Sequence, residues 1–148
     1  MIDNKELTAV SKVIKSKKLS EFVGKFSKNF YGGKNVKKFE KNLQNYFRVK
    51  HAITVNSWTS GLICCVGATG VKPGDEAIVT SWTMSATVIS LLHWNVIPVF
   101  VDIDQNTFNI DPKKIEKKIN SRTKLIVVAD IFGNPANYKE ILKIAKKN

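Results

Sequence analysis

The sequence predicts an α/β fold built on a parallel sheet, and three observations lead to this prediction. Short apolar runs of strand length alternate along the chain with longer segments in which apolar residues recur at helical spacing. With 148 residues, the chain is the size of one ordinary domain. Hydrophobic residues make up 43% and charged residues 24%, a balance typical of globular rather than disordered proteins. Strands joined through helices need crossover connections, so we expect a parallel sheet with helices on both faces.

Four apolar runs are expected to form the sheet, and helices are expected before and between them. The predicted strands are 52–55, 77–80, 97–101 and 125–129. The predicted helices are 6–18, 35–47, 59–69, 85–94, 112–120 and 138–147. In the second helix four apolar residues share one face, which we expect to be buried on one side of the sheet. These residues are Val36, Phe39, Leu43 and Phe47.

The positive charge of the chain lies at its two ends. Residues 1–50 carry +9, residues 51–110 carry −3 and residues 111–148 carry +6, which gives the net charge of +12. Of the 24 basic residues only two, Arg48 and Arg122, are arginines. Proteins that read nucleic acids usually use arginine for two-pronged contacts with bases and phosphates. We therefore interpret the charge as solvated helix faces and expect no nucleic acid partner.

The remaining composition favours a reduced, cytoplasmic protein. No apolar stretch approaches the ~18 residues of a membrane-spanning helix, and the N-terminus lacks the layout of a signal peptide. Cys64 and Cys65 are adjacent in a predicted helix, where disulfide geometry is hard to reach, and we expect both to be buried as small residues. The histidines and aspartates do not occur at the spacing of metal ligands, so no metal site is expected.

Two loops at the expected carboxyl edge of the sheet are candidate binding elements. Residues 56–60 lead into a helix, and their backbone N–H groups and hydroxyls could cradle a phosphate. The alternative is an ordinary capped helix, with Asn56 or Ser57 as the N-cap. Residues 80–84 place Trp82 and Met84 near the same edge, and packing in the core is the alternative there. At this point both alternatives stay open for each loop.

Seven stretches, taken together, resemble the DegT/DnrJ/StrS-type sugar aminotransferases, which are pyridoxal-phosphate enzymes of fold type I. Each motif is weak alone, but the seven occur in order over essentially the whole chain. They are Phe30–Glu40, Val55–Leu62, Val71–Glu76, Ser81–Thr87, Ile97–Asp104, Thr107–Asp111 and Ile131–Pro135.

The resemblance implies a function and a cofactor site. Such enzymes transfer an amino group from glutamate or glutamine to a keto group on a nucleotide-linked sugar, using pyridoxal 5′-phosphate. Thr59 and Ser60 would bind the cofactor phosphate. Met84 falls where the family commonly has an aromatic residue that stacks on the pyridine ring, and a thioether contact of ~0.3–1.5 kcal/mol can replace it. Asp130 falls where histidine is commoner, and the resemblance does not say what this changes. From its residue type we expect a cap or turn acceptor there, as for Asp102, Asp104 and Asp111.

The resemblance also implies that important residues lie elsewhere. The family's pyridine-nitrogen aspartate and Schiff-base lysine come later in its sequences, so no catalytic residue is nominated here. We expect residues 1–33 to form an N-terminal arm and helix, and residues 34–148 to be an incomplete large domain of a homodimeric enzyme. Alternatives are a dehydratase of the same family, in which histidine replaces the lysine, and a non-catalytic α/β binding module.

Overall fold

The structure is a computed structural model that describes residues 2–148. It divides into two compact units, one ending at Thr54 and the other spanning Val55–Asn148. The expected division between residues 33 and 34 stays a prediction.

The first unit contains two helices. Helix α1 spans Asn4–Ser16 and begins with a capping box. The Asp3 side chain accepts the backbone N–H of Glu6, and the Glu6 side chain accepts the backbone N–H of Asp3. Helix α2 spans Lys34–Phe47. The expectation that its apolar face is buried is wrong: no α2 side chain is fully buried, Val36 and Leu43 are only partly covered, and Phe39 is 55% exposed.

The predicted strand at 52–55 is also wrong. Residues 51–55 are outside the sheet that the described residues form, and Ile53 is 82% exposed. A strand exists only through pairing with another strand, and here a side chain takes up a backbone donor instead. The carboxylate of Glu40 accepts hydrogen bonds from the N–H and the hydroxyl of Thr54, both at 2.9 Å.

The second unit alternates helices and strands as expected. Its longer elements are α3 (Trp58–Ala68), β1 (Glu76–Val79), α4 (Ser85–Leu92), β2 (Ile97–Phe100), α5 (Pro112–Ile115), β3 (Thr123–Ile126) and α6 (Tyr138–Lys147). Helix α5 is shorter than predicted, since it changes to a 3₁₀ turn at Glu116–Lys118. Strand β3 begins two residues before the predicted strand and ends at Ile126, although the Val127 N–H still donates to Ile78 O at 2.8 Å.

The sheet is parallel, with the order β2-β1-β3, which confirms the predicted α/β class. All four residues of the central strand β1 are buried. Alternate β1 side chains enter two separate cores, as the pleat requires. Ile78 packs with Ile115 and Ile141 on one face, whereas Ala77 and Val79 pack with residues of α3 and α4 on the other.

Two further observations concern the cysteines and the lengths of the helices. Cys64 and Cys65 are both exposed on α3, so their expected burial is wrong. Across residues 2–148, no helix has both the length and the apolar character that crossing a bilayer requires.

Candidate functional site

The carboxyl ends of the three strands lie at one edge of the sheet, and a loop follows each of them. Because the strands are parallel, residues 80–84, 101–111 and 127–137 come together at this edge. Open α/β sheets bind their ligands at this position. We call it the carboxyl edge.

Helix α3 packs along α4, the helix that begins directly after the 80–84 loop. Trp94, just beyond the end of α4, donates its indole N–H to the carbonyl oxygen of Ile63 in α3 at 2.8 Å, and α4 packs along α3. The end of α4 is therefore held against the part of α3 from Ile63 to Gly67, where the Trp94 ring also lies against Gly67.

The first turn of α3 combines a cap with free donors. Ser57 is the N-cap, and its Oγ accepts the Ser60 N–H at 3.1 Å and lies 3.0 Å from the Ser60 hydroxyl. Of the two cap candidates, the structure therefore selects Ser57 over Asn56. The cap occupies the Ser60 amide, whereas the amides of Trp58 and Thr59 have no acceptor within residues 2–148. Capping and anion binding are thus compatible at this helix.

The 80–84 loop presents its large side chains to solvent. Met84 is 72% exposed at the N-cap position of α4, and Trp82 is 48% exposed, so the core-packing interpretation is wrong for both. The loop is held from beneath: the buried Thr80 hydroxyl accepts the Trp82 N–H at 3.2 Å, and the Thr83 and Thr87 hydroxyls are 2.8 Å apart. Met84 therefore lies on a loop that these hydrogen bonds hold in place, and its side chain is exposed to solvent.

A hairpin follows β2 and brings an aromatic ring to Trp82. Asp104 accepts the backbone N–H groups of Thr107 and Asn106, both at 3.0 Å, and these bonds hold the pKa of Asp104 below its usual value. The hairpin turns through Phe108, which has a left-handed φ of 59°. Its ring centroid lies 6.1 Å from that of Trp82. The second and first carboxyl-edge loops are therefore in contact through these two rings.

Asn109 joins the same hairpin to the loop after β3. It is 3% exposed; its Nδ2 donates to Asn134 O at 2.9 Å and its Oδ1 accepts the Ile131 N–H at 3.1 Å. Asn134 returns a bond of 3.4 Å from its Nδ2 to Thr107 O. Sequence reasoning did not nominate Asn109, because its partners lie more than 20 residues away and no spacing pattern links them. The one indication in the sequence is that Asn109 lies in Thr107–Asp111, one of the seven stretches that resemble the family.

Asp130 acts as a turn acceptor, which confirms the expectation for this residue. Its Oδ1 accepts the Ala136 N–H at 2.9 Å and the Tyr138 hydroxyl at 3.0 Å, which closes the loop after β3 onto the start of α6. Burial and this hydrogen bond raise the pKa of Tyr138 above its usual value. Among residues 2–148, histidine, cysteine and acidic side chains form no group of three that could hold a metal ion.

Comparisons with known proteins show which proteins this chain is similar to. The model of the DegT/DnrJ/EryC1/StrS aminotransferase family matches residues 2–148. The spore coat polysaccharide biosynthesis protein SpsC of Bacillus subtilis is 35% identical over all of this chain and 35% of its own length. A dTDP-3-amino-3,6-dideoxy-alpha-D-galactopyranose transaminase of Aneurinibacillus thermoaerophilus is 39% identical over 78% of this chain and 32% of its own length.

One solved structure is also similar to this chain in three dimensions. The crystal structure of a GDP-4-keto-6-deoxymannose-3-dehydratase with a trapped PLP-glutamate geminal diamine superposes with a TM-score of 0.86 at 30% identity. The match covers 100% of this chain and 37% of that one. The chain therefore spans about a third of the length of the proteins that it matches.

Proposed function

Because the chain belongs to the DegT/DnrJ/EryC1/StrS aminotransferase family, we propose that its carboxyl edge binds the phosphate and ring of pyridoxal phosphate. We further propose that the whole protein transfers an amino group from glutamate or glutamine to a nucleotide-linked keto-sugar. The observation that supports the proposal is the start of α3, where the amides of Trp58 and Thr59 have no acceptor among residues 2–148. The proposed ring contact is the exposed thioether of Met84, at the N-cap position of α4, the helix that packs along α3.

The residues at this edge fit the cofactor's two chemically different ends. A phosphate carries negative charge, and the start of an 11-residue helix offers N–H donors and the positive end of the helix dipole. The Thr59 hydroxyl can add a further hydrogen bond. Ser60 accepts at its Oγ from Ser57, so its own hydroxyl proton is available for a phosphate oxygen. Met84 supplies a polarizable surface for an aromatic ring.

Each residue then has a separate role in binding. Thr59 and Ser60 hold the phosphate, and Met84 contacts one face of the ring. When bound, pyridoxal phosphate supplies an electron sink for chemistry at the carbon that bears the amino group. The cap made by Ser57 keeps the first turn of α3 in place, so the phosphate donors are ordered before the ligand arrives. The lysine that would attach the cofactor covalently is proposed to lie outside this chain.

A dehydratase of the same family is the second candidate function. The likeness to a sugar-nucleotide dehydratase of known structure favours it as much as the transaminase match favours transfer. The two chemistries share the phosphate and ring contacts proposed here. They differ in the residue that the resemblance places in later parts of the family's sequences. A cytoplasmic homodimer is proposed for the whole protein in either case.

Cofactor binding by this chain tests the proposal. We expect pyridoxal phosphate to quench tryptophan fluorescence saturably, and Thr59→Val to weaken binding about fivefold because one hydrogen bond to the phosphate is lost. Thr69→Val, at the other end of α3, is the matched control and should leave the affinity unchanged. Equal affinities for wild type and Thr59→Val would contradict the assignment of Thr59.

Reduction with borohydride tests the proposal about the lysine. Without a lysine positioned to condense with the aldehyde, the chain should retain no stoichiometric label after reduction and gel filtration. Mass spectrometry of the digested protein distinguishes scattered traces from one modified site. One fully labelled lysine would show that the attachment residue lies within these 148 residues.

A further inference from the structure

We propose that Asn109 is a positioning residue that couples the three carboxyl-edge loops, so that its hydrogen bonds to the loop after β3 set the position of Trp82 and Met84 in the 80–84 loop. Its role in cofactor binding rests on the function proposed above. The coupling itself rests on hydrogen bonds and ring contacts within the second unit, and can be measured without any ligand.

The first step of the coupling runs from the loop after β3 to the hairpin. Asn109 is almost fully buried and uses both ends of its amide: Nδ2 donates to Asn134 O at 2.9 Å, and Oδ1 accepts from Ile131 N–H at 3.1 Å. The two bonds bracket the 3₁₀ turn at Ile131–Gly133. A side chain that pairs with both ends of a turn fixes the position of that turn relative to its own backbone.

The second step runs from the hairpin to the 80–84 loop. Phe108 precedes Asn109 directly and has a left-handed backbone, a conformation that costs energy for a bulky residue and persists only when its surroundings impose it. Two contacts flank it: its own N–H donates to Asp104 O at 2.8 Å, and the next residue is the buried Asn109. This backbone directs the Phe108 ring against Trp82.

The third step lies within the 80–84 loop. Trp82 is tied to the end of β1 through the Thr80 hydroxyl and is two residues from Met84. Movement of the Phe108 ring therefore reaches Trp82 and, through the loop backbone, Met84, which is proposed to contact the cofactor ring. The side-chain hydrogen bonds of Asn109 go to Ile131 and Asn134, so its effect on Trp82 and Met84 passes through the neighbouring Phe108.

The test uses the whole 148-residue chain labelled with ¹⁵N, and the variant Asn109→Ala. We expect hydrogen exchange of the Ile131 amide to accelerate about tenfold, since its acceptor is lost. We also expect the indole N–H resonance of Trp82, assigned with Trp82→Phe, to move because the ring current of Phe108 changes. Asn106→Ala, an exposed position in the same hairpin, is the control and should change neither signal.

The outcomes separate the coupling from the proposed function. An unchanged Trp82 resonance in Asn109→Ala, or equal changes in Asn106→Ala, would overturn the coupling. Should Asn109→Ala fail to fold, Asn109→Asp decides: it keeps the acceptor for the Ile131 N–H and should preserve Ile131 protection, but it loses the donor to Asn134 O and should therefore shift the Trp82 resonance. An unshifted Trp82 resonance in Asn109→Asp would overturn the coupling.

Cofactor affinity is the last measurement. If wild type binds pyridoxal phosphate, Asn109→Ala should bind it several-fold more weakly while Asn106→Ala binds normally; equal affinities would overturn the positioning role. If wild type does not bind the cofactor, the proposed function fails, and the exchange and resonance measurements still decide the coupling.

Discussion

At the scale of single residues, close packing allows only glycine at one position of α3. This residue is Gly67, because the Trp94 ring lies directly against it. A Cβ at this position would be 2.7 Å from Trp94 Cε2, closer than real Cβ atoms approach. Trp94 cannot simply move away, since its indole N–H is bonded to Ile63 O. The junction of α3 and α4 therefore depends on the absence of a side chain.

Gly67→Ala should consequently destabilise the protein. Overpacking of this kind costs roughly 1–3 kcal/mol, which exceeds the gain of ~1 kcal/mol from replacing a helical glycine. Gly61→Ala is the matched control in the same helix, since its Cβ would lie at an ordinary 3.4 Å from Val55 Cγ2. Urea unfolding followed by circular dichroism should give a lower midpoint for Gly67→Ala and an equal or higher one for Gly61→Ala. A stabilised Gly67→Ala would contradict the close packing.

Sequence reasoning reached some residues and missed others for identifiable reasons. Ser57 was a candidate cap because capping depends on residues two or three positions away. Asp130 was expected to be a turn acceptor because such bonds involve residues a few positions away. Asn109 was not nominated because its partners, Ile131 and Asn134, are brought to it only by the fold. The alternative in which Met84 and Trp82 pack in the core was wrong. Residue type alone does not distinguish a large apolar side chain that packs in the core from one that lines an exposed edge.

At the scale of elements, local periodicity located the helices well and misjudged segments that need a distant partner. Predicted and observed bounds agree closely for α2, α4 and α6. The run at 52–55 has strand composition, but strand formation also needs an unpaired neighbour in register, and the described residues offer Thr54 a carboxylate instead. Strand β3 is shifted because its start is fixed by pairing with β1 at Glu76↔Thr123, not by where its most apolar residues begin.

The amino edge of the sheet has an ion pair that ties β1 to the turn before β3. The Glu76 side chain is 5% exposed, and its carboxylate is 2.5 Å from Arg122 Nη2 and 2.7 Å from Asn120 Nδ2. Arg122 itself is 63% exposed, so solvent screens the pair and its contribution is well below that of a fully buried one.

Arg122→Ala should therefore lower the free energy of unfolding by about 1–2 kcal/mol, because Glu76 would keep only Asn120 as a side-chain partner. Lys143→Ala, which removes an exposed charge from α6, serves as the control and should stay within about 0.5 kcal/mol of wild type. Denaturant midpoints of both variants, measured at the same ionic strength, decide between these values. A neutral Arg122→Ala would mean that Asn120 and water fully satisfy the carboxylate.

At the scale of the whole molecule, the exposed apolar surface and the net charge act in opposite directions on association. Large apolar side chains are exposed in both units, among them Phe26, Phe39, Phe47, Met84 and Phe132. Surfaces of this kind are typical of interaction sites. The net charge of +12 repels a second copy at low ionic strength. Composition alone gave the charge, but only the structure shows that so much apolar surface accompanies it.

We therefore expect the chain to associate with itself, and to do so more strongly as salt is added. Salt shortens the screening length from about 30 Å at 0.01 M to about 8 Å at 0.15 M, which weakens the repulsion and leaves apolar burial unopposed. Sedimentation velocity over this range should show a monomer giving way to larger species. Replacing Phe39 and Phe47 together with glutamine should reduce association, since both rings are exposed on one face of α2. Lys41→Gln, which changes charge on the same helix without removing apolar surface, should not. A chain that stays monomeric at every salt concentration would mean that its exposed apolar residues are too dispersed to form a common interface.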